Sequence, residues 1–208
     1  MCNLYDIGPS PNEDRFDWEG VVREAVKNLT NDYVAPGKEG VVAHQVDGIM
    51  VASVMRWGFR RKLETKGKLA NRDINNARSE KISGRMWSPS WTEHRCLIPM
   101  RHFYEWSGRK GAKTKHRIWA DDHEHWFWVA GIWESSANAE MPSYSLITTT
   151  ANPQMEPIHH RMPVILRNAD CLDYLSQTEP PTHLLQPFPE KLTIDPPVIQ
   201  ELELGLDF

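Results

Sequence analysis

The apolar positions change period several times along the chain, and each change marks an element. Phe16, Trp18, Val21, Val22, Ala25, Val26 and Leu29 recur at helical spacing, with Asn12 placed to cap the helix they predict. Pro36-Gly37 ends that region. Two β-like runs follow, Val41–Val46 and Ile49–Trp57, on either side of Asp47-Gly48. An Asp-Gly pair between apolar runs predicts a type I′ hairpin, whose two turn residues both need positive φ. From Gly58 to Ile74 the chain is polar and basic without a clear period, and reads as a long loop of the functional or disordered kind. Short strands are predicted at Arg95–Ile98, Phe103–Trp106, Arg117–Ala120, Trp126–Trp133, Tyr144–Thr150 and Pro163–Leu166, and a short helix at Ala169–Ser176. The tail carries Pro180, Pro181, Pro187, Pro189, Pro196 and Pro197 and is expected to wrap over the surface from about residue 178. There is no internal repeat and no linker, so the pattern predicts one α+β domain spanning residues 1–208.

Composition narrows this little, except in two respects. The three cysteines, Cys2, Cys96 and Cys171, are odd in number and irregularly spaced, which gives no disulfide framework and points to a reducing compartment. No positively charged start leads into an apolar run, and the longest strongly apolar stretch, Trp126–Trp133, is too short to cross a bilayer. A soluble, cytoplasmic protein without a membrane partner is the expectation. Net charge is −4, which taken whole argues against nucleic acid, but the charge is segregated. Arg56 to Arg85 holds ten Lys/Arg against three acids, and Arg101 to Arg117 six against Glu105. That leaves one basic and one acidic surface, the footprint expected of a phosphate binder. Nine tryptophans could supply stacking faces as well as core.

Candidate chemistry begins at Met1-Cys2. With Met1 removed, Cys2 carries an amine and a thiol two carbons apart. An α-amine titrates at about 7.7–8.0 and a free thiol near about 8.5, so both are within reach of neutral pH. Such a pair captures an aldehyde as an imine, which the sulfur then closes to a five-membered thiazolidine in an intramolecular step. Three other places carry polar groups in unusual company. Asn75-Asn76-Ala77-Arg78-Ser79-Glu80 ends the basic stretch. Glu105 lies in the aromatic run His102-Phe103-Tyr104-Glu105-Trp106, where burial would raise its pKa toward neutrality. His159-His160-Arg161-Met162-Pro163 precedes a β run. Each has a plain structural counterpart: a small second residue, an outward-facing edge-strand glutamate, a strand-capping histidine.

In combination the pieces resemble the SRAP family, the SOS-response-associated peptidase-like proteins that shield abasic sites in DNA. The matching segments are Met1-Cys2, Val34-Ala35-Pro36-Gly37, Trp57-Gly58, Asn76-Ala77-Arg78 with Glu80, Arg95-Cys96-Leu97-Ile98-Pro99, Phe103-Tyr104-Glu105-Trp106, and Ile158-His159 through Arg161-Met162-Pro163-Val164-Ile165-Leu166. The resemblance implies mostly antiparallel β-sheets curled around a core with a few peripheral helices. It implies a covalent trap for the aldehyde of an abasic deoxyribose in single-stranded DNA, acting in the DNA damage response. Cys2 would be the nucleophile, Asn76 would hold the amine or the new ring, Glu105 would move protons, and His159 would contact the sugar. Arg78 would bind a flanking phosphate, with Trp57, Trp87 and Trp106 as base-stacking candidates. No cofactor or metal is implied, and a monomer, nucleoid-associated when bound to DNA, is expected.

Two departures stand out. Asn3-Leu4 replaces the family's Gly-Arg, losing a phosphate contact unless Arg56, Arg101 or Arg161 supplies it, and Tyr33 replaces an Asn. Other classes remain open at this point. A thiol peptidase would use Cys2, His159 and Asn76, and could remove Met1 itself. A metal site at His123-Glu124-His125 lacks any His-Glu-x-x-His or Cys-x-x-Cys companion and reads as a solvated turn.

Overall fold

The computed structural model describes residues 2–65, 67–120, 124–135, 141–176 and 178–195. In chain order the elements are β1 (Tyr5–Asp6), α1 (Glu19–Val26), β2 (Tyr33–Val34), β3 (Glu39–Val46), β4 (Ile49–Trp57), β5 (Phe59–Thr65), β6 (Lys68–Ile74), β7 (Asn76–Arg78), α2 (Ser88–Glu93) and β8 (Arg95–Met100). They continue with β9 (His102–Arg109), β10 (Ala112–Ala120), β11 (Phe127–Glu134), β12 (Ser143–Thr150), β13 (Arg161–Pro163), β14 (Ile165–Leu166), α3 (Cys171–Ser176) and β15 (Leu192–Ile194). No helix among the described residues is long and apolar enough to cross a membrane.

Two sheets carry the fold. One runs β15-β10-β9-β1-β2. The other runs β13-β12-β4-β3-β8-β11-β14, and because β12 also pairs with β11, five of its strands close into a ring. Closure leaves those strands no open edge. The ring is mixed: β12 runs parallel to β4 and to β7, and antiparallel to β11 and β13. One contiguous cluster of buried side chains fills the space enclosed by these elements, including Tyr5, Trp57, Trp126, Trp128 and Tyr144. Most predicted strands appear, with β9 and β10 longer than their apolar stretches. The Asp47-Gly48 turn has φ of 50° and 78°, as a type I′ hairpin requires.

Two expectations are corrected. The first helix is eight residues, Glu19–Val26, and does not start at Asn12. Phe16 and Trp18 stack on each other at 4.8 Å, and Trp18 leans on Trp128 at 4.8 Å. Residues two apart cannot face each other on a helix, so their stacking fixes a turn there instead. The expected loop Gly58–Ile74 is an antiparallel hairpin of its own, β5 with β6. Of the tail, residues 182–184 form a 3₁₀ turn and β15 pairs with β10; Pro196 and Pro197 lie outside the described residues.

Between the sheets, the Tyr5 and Tyr144 hydroxyls share a buried hydrogen bond of 2.5 Å, directly above Gly40. A Cβ at Gly40 would collide with both hydroxyls. Gly40→Ala should therefore destabilise the protein by about 1–3 kcal/mol, the usual cost of overpacking, seen as a lower midpoint in denaturant. Gly48→Ala, at a turn with open space around it, controls for positive-φ strain alone.

Candidate functional site

A chain end normally frays unless a sheet holds it. Here β1 lies between β9 and β2, with Tyr5 opposite both Phe103 and Val34. The backbone N–H of Tyr104 donates to the Leu4 carbonyl at 3.0 Å, and that of Arg101 to the Asp6 carbonyl at 2.9 Å. This ladder sinks Cys2 to 1% exposure, its thiol donating to the Leu4 carbonyl at 3.6 Å. From the other sheet, β7 brings Asn76, whose Nδ2 donates to the Cys2 carbonyl at 2.9 Å. Asn75 Nδ2 donates to Asn3 Oδ1 at 3.0 Å. Asn76 is held in turn by its parallel pairing to Leu146 on β12. Its Oδ1 is buried without a hydrogen-bond partner among the described residues, an acceptor waiting beside the start of the chain.

Glu105 is one residue beyond the Tyr104 rung and is 3% exposed. Burial raises its pKa, with the positive charge of the amino terminus pulling the other way. His159 is pushed below the usual histidine value, first by burial and then by the same terminal charge. Its Nδ1 lies 3.0 Å from the Arg161 backbone nitrogen and 3.1 Å from the Arg161 carbonyl oxygen, so either tautomer of the neutral ring finds a partner in that residue. Burial, reinforced by the Glu105 charge, pushes the Cys2 thiol well up. The expectation of an easily formed thiolate is thus corrected: in this environment the sulfur is held as a neutral thiol.

The sequence model of the SOS response associated peptidase (SRAP) family matches residues 1–202. The chain belongs to the SRAP family. Among curated relatives it is similar to an abasic site processing protein of Bacillus subtilis, YoqW, 37% identical over 147 residues. That match covers 64% of this chain and 63% of the relative. YoaM, another abasic site processing protein of the same organism, is 35% identical over 128 residues, 59% of this chain and 55% of that one. The chain therefore matches less than two thirds of these relatives' length. A crystal structure of a protein from Bacteroides thetaiotaomicron superposes with a TM-score of 0.71 at 20% identity, covering 93% of this chain and 90% of that one. At that identity the likeness establishes the fold.

Of the SRAP segments named from sequence, those of Asn76 and Tyr104 touch the first residues of the chain, and several other residues are engaged elsewhere. Arg78 is exposed beside Asn76. Trp106 is half-buried, its ring 5.9 Å from Lys115 Nζ, which also sits 4.1 Å over Tyr104 and 6.0 Å from Tyr33. Trp57 cannot stack on a base: it is fully buried, its indole N–H donating to the Asn75 carbonyl at 2.8 Å. Trp87 is 7% exposed and packs on Phe59. Arg161 is no phosphate ligand here. It is 6% exposed and grips Glu80 with both Nη atoms, at 3.0 and 2.9 Å, with one Nη also donating to the Thr148 carbonyl at 2.6 Å. Arg56 is engaged by Asp73 and Arg101 by the Pro9 carbonyl, so both alternatives to the missing arginine at Leu4 have structural partners. Of the His123-Glu124-His125 run, His123 lies outside the described residues, and His125 Nδ1 sits 3.1 Å from Arg15 Nη2.

The Arg161–Glu80 pair was not read from sequence, although both residues stand in the matching segments. It ties the strand that carries Asn76 to the turn that carries His159. Removing the carboxylate leaves a buried guanidinium short of its partner, at a cost of about 1–3 kcal/mol. Glu80→Ala should therefore lower the melting temperature by roughly 2–4 °C per kcal/mol lost for a chain of this size. Lys81→Ala next to it should not.

Proposed function

We propose that this protein processes abasic sites in single-stranded DNA by bonding covalently to them through Cys2 once Met1 is removed. Two supports carry the reading. The curated relatives are named abasic site processing proteins. And the threaded chain end pairs with the strand that carries the buried Glu105, while Asn76, bonded to the Cys2 carbonyl, has an amide oxygen without a partner among the described residues. That second arrangement is the decisive observation, because an amine that must become a nucleophile needs a base and an acceptor at once.

The roles follow from the groups. Ring-opened deoxyribose presents an aldehyde. Ionised Glu105 takes a proton from the α-ammonium, and the free amine attacks the aldehyde carbon. Loss of water gives the imine. The Cys2 sulfur then adds to the imine carbon, its proton passing to nitrogen, and the thiazolidine closes. Asn76 Oδ1 accepts an N–H of the amine and holds it in line. A neutral thiol suits this order, because the amine acts first and the sulfur only closes a ring. It suits a thiolate peptidase poorly. His159, biased by burial to its neutral form, contacts the sugar, and Arg78 holds a flanking phosphate with its planar fork.

Three measurements test this. Incubated with a single-stranded oligonucleotide bearing one abasic site, the protein should give a denaturant-resistant species with the mass of chain lacking Met1 plus DNA minus one water. A non-cleavable N-terminal extension turns the Cys2 nitrogen into an amide, so the extended protein should form no adduct until the extension is cut to leave Cys2 first. Equal adduct yield before and after cutting refutes the aminothiol mechanism. Glu105→Gln should slow adduct formation by about 10²-fold or more. Because burial raises the Glu105 pKa and the base acts ionised, the wild-type rate should climb with pH through a value above the ordinary 4.5. The Gln variant should lack that limb.

A further inference from the structure

The chemistry proposed for Cys2 leaves a proton behind. An α-ammonium, a thiol and an aldehyde give a thiazolidine with a neutral ring nitrogen, one water and one proton. Ionised Glu105 receives that proton from the ammonium, and neither the loss of water nor the ring closure takes it back. The reaction therefore ends with Glu105 protonated and 3% exposed. Burial favours that protonated form, so the proton needs a way out before the carboxylate can act again.

Two charges act on Glu105 beside its burial, the amino terminus and Lys113. The first is the source of the proton and the second is itself a cation, so neither can receive it. Directly across the β9–β10 ladder from Glu105 is His116. Register partners share a face, with Cβ atoms about 4.5–5.5 Å apart, a spacing that lets a carboxyl and an imidazole exchange a proton directly or through one water. Ser107, two residues along from Glu105, is on the same face, and its Oγ lies 2.7 Å from His116 Nε2. Glu105 is buried, whereas His116 and Ser107 are half-buried. The three groups thus step from the interior toward water. Burial biases the His116 ring to its neutral form, which can accept a proton.

We propose that His116 is the proton exit of the site, taking the proton from Glu105 and passing it to water by way of Ser107. The inference rests on the Cys2 chemistry proposed above and adds the step that resets its base. With Ser107 accepting from Nε2, Nδ1 is the acceptor for the Glu105 proton. The imidazolium then releases its Nε2 proton through the Ser107 hydroxyl, and Glu105 is left ionised. No bond to carbon or sulfur changes. What leaves is the single proton by which ammonium, thiol and aldehyde exceed thiazolidine and water. His116 works through Glu105 and needs no contact with the sugar.

The test follows adduct formation on a single strand bearing one abasic site, in weak buffer with a pH indicator. Wild type should release one proton for each adduct formed. His116→Ala and His116→Gln should bind an intact single strand as wild type does and form the adduct at least about tenfold more slowly. Ser107→Ala should be slowed as well, by a smaller factor. Imidazole added to the buffer should restore most of the rate to His116→Ala, where the deleted ring leaves room for it, and should not change His116→Gln or wild type. A histidine that only supports the fold predicts slow variants that ignore imidazole. The relay is overturned, with the Cys2 reading intact, if wild type forms the adduct and any of the three variants matches its rate, or if imidazole fails to rescue His116→Ala. Absence of any wild-type adduct overturns both.

Discussion

Everything at the site hangs on one hydrogen-bonded ladder: two residues of chain, Tyr5 and Asp6, inserted as a middle strand between β9 and β2. A middle strand is satisfied on both edges, so the few residues before it inherit a defined position that a free terminus lacks. The Tyr5–Tyr144 hydrogen bond adds depth control, and Gly40 is what leaves room for it. Glu105 follows from the same ladder, being the next residue on the strand that Leu4 pairs with. Asn76 comes from β7, which pairs with β12 of the ring, and its amide holds the Cys2 carbonyl; His159 lies in the turn just before β13. The Arg161–Glu80 pair sets the spacing between those two.

The electrostatics of the site are those of a dry pocket. Burial moves Glu105 up, His159 down and Cys2 up, in each case toward the uncharged form. A group of three titratable side chains that are all biased to neutrality favours stepwise proton movement between neighbours over a standing ion pair. It also explains how a carboxyl and a thiol can share one small volume without repelling each other.

Much of this was legible in the amino-acid order. Alternation and Asp-Gly located β3 and β4 to within a residue or two, and the matching segments named Cys2, Asn76, Arg78, Glu105 and His159. What escaped was decided by long-range packing. Trp57 and Trp106 look alike in sequence; Trp57 is sealed beneath Asn75 while Trp106 stays half-open next to Lys115. Arg161 reads as a surface cation until Glu80, far away in the chain, is seen to claim it. The β5–β6 hairpin was missed because its inward face carries Phe59, Arg61 and Leu63, and an arginine held by Glu134 in the middle of that face hides the apolar alternation. The first helix was overextended because Phe16 and Trp18 fit a helical period by count while stacking as neighbours.

The threaded terminus also sets an order of events in time. The chain emerges with Met1 and Cys2 leading, yet β9, the partner that covers one side of β1, begins at His102. At synthesis rates of about 5–20 residues per second, the hundred residues between them take roughly 5–20 s to appear. Throughout that interval β1 has only β2 to pair with, and its other edge stays open. Once β9 arrives, the slot closes around it. The burial of Cys2 is thus completed late, by a strand that lies half the chain away from it.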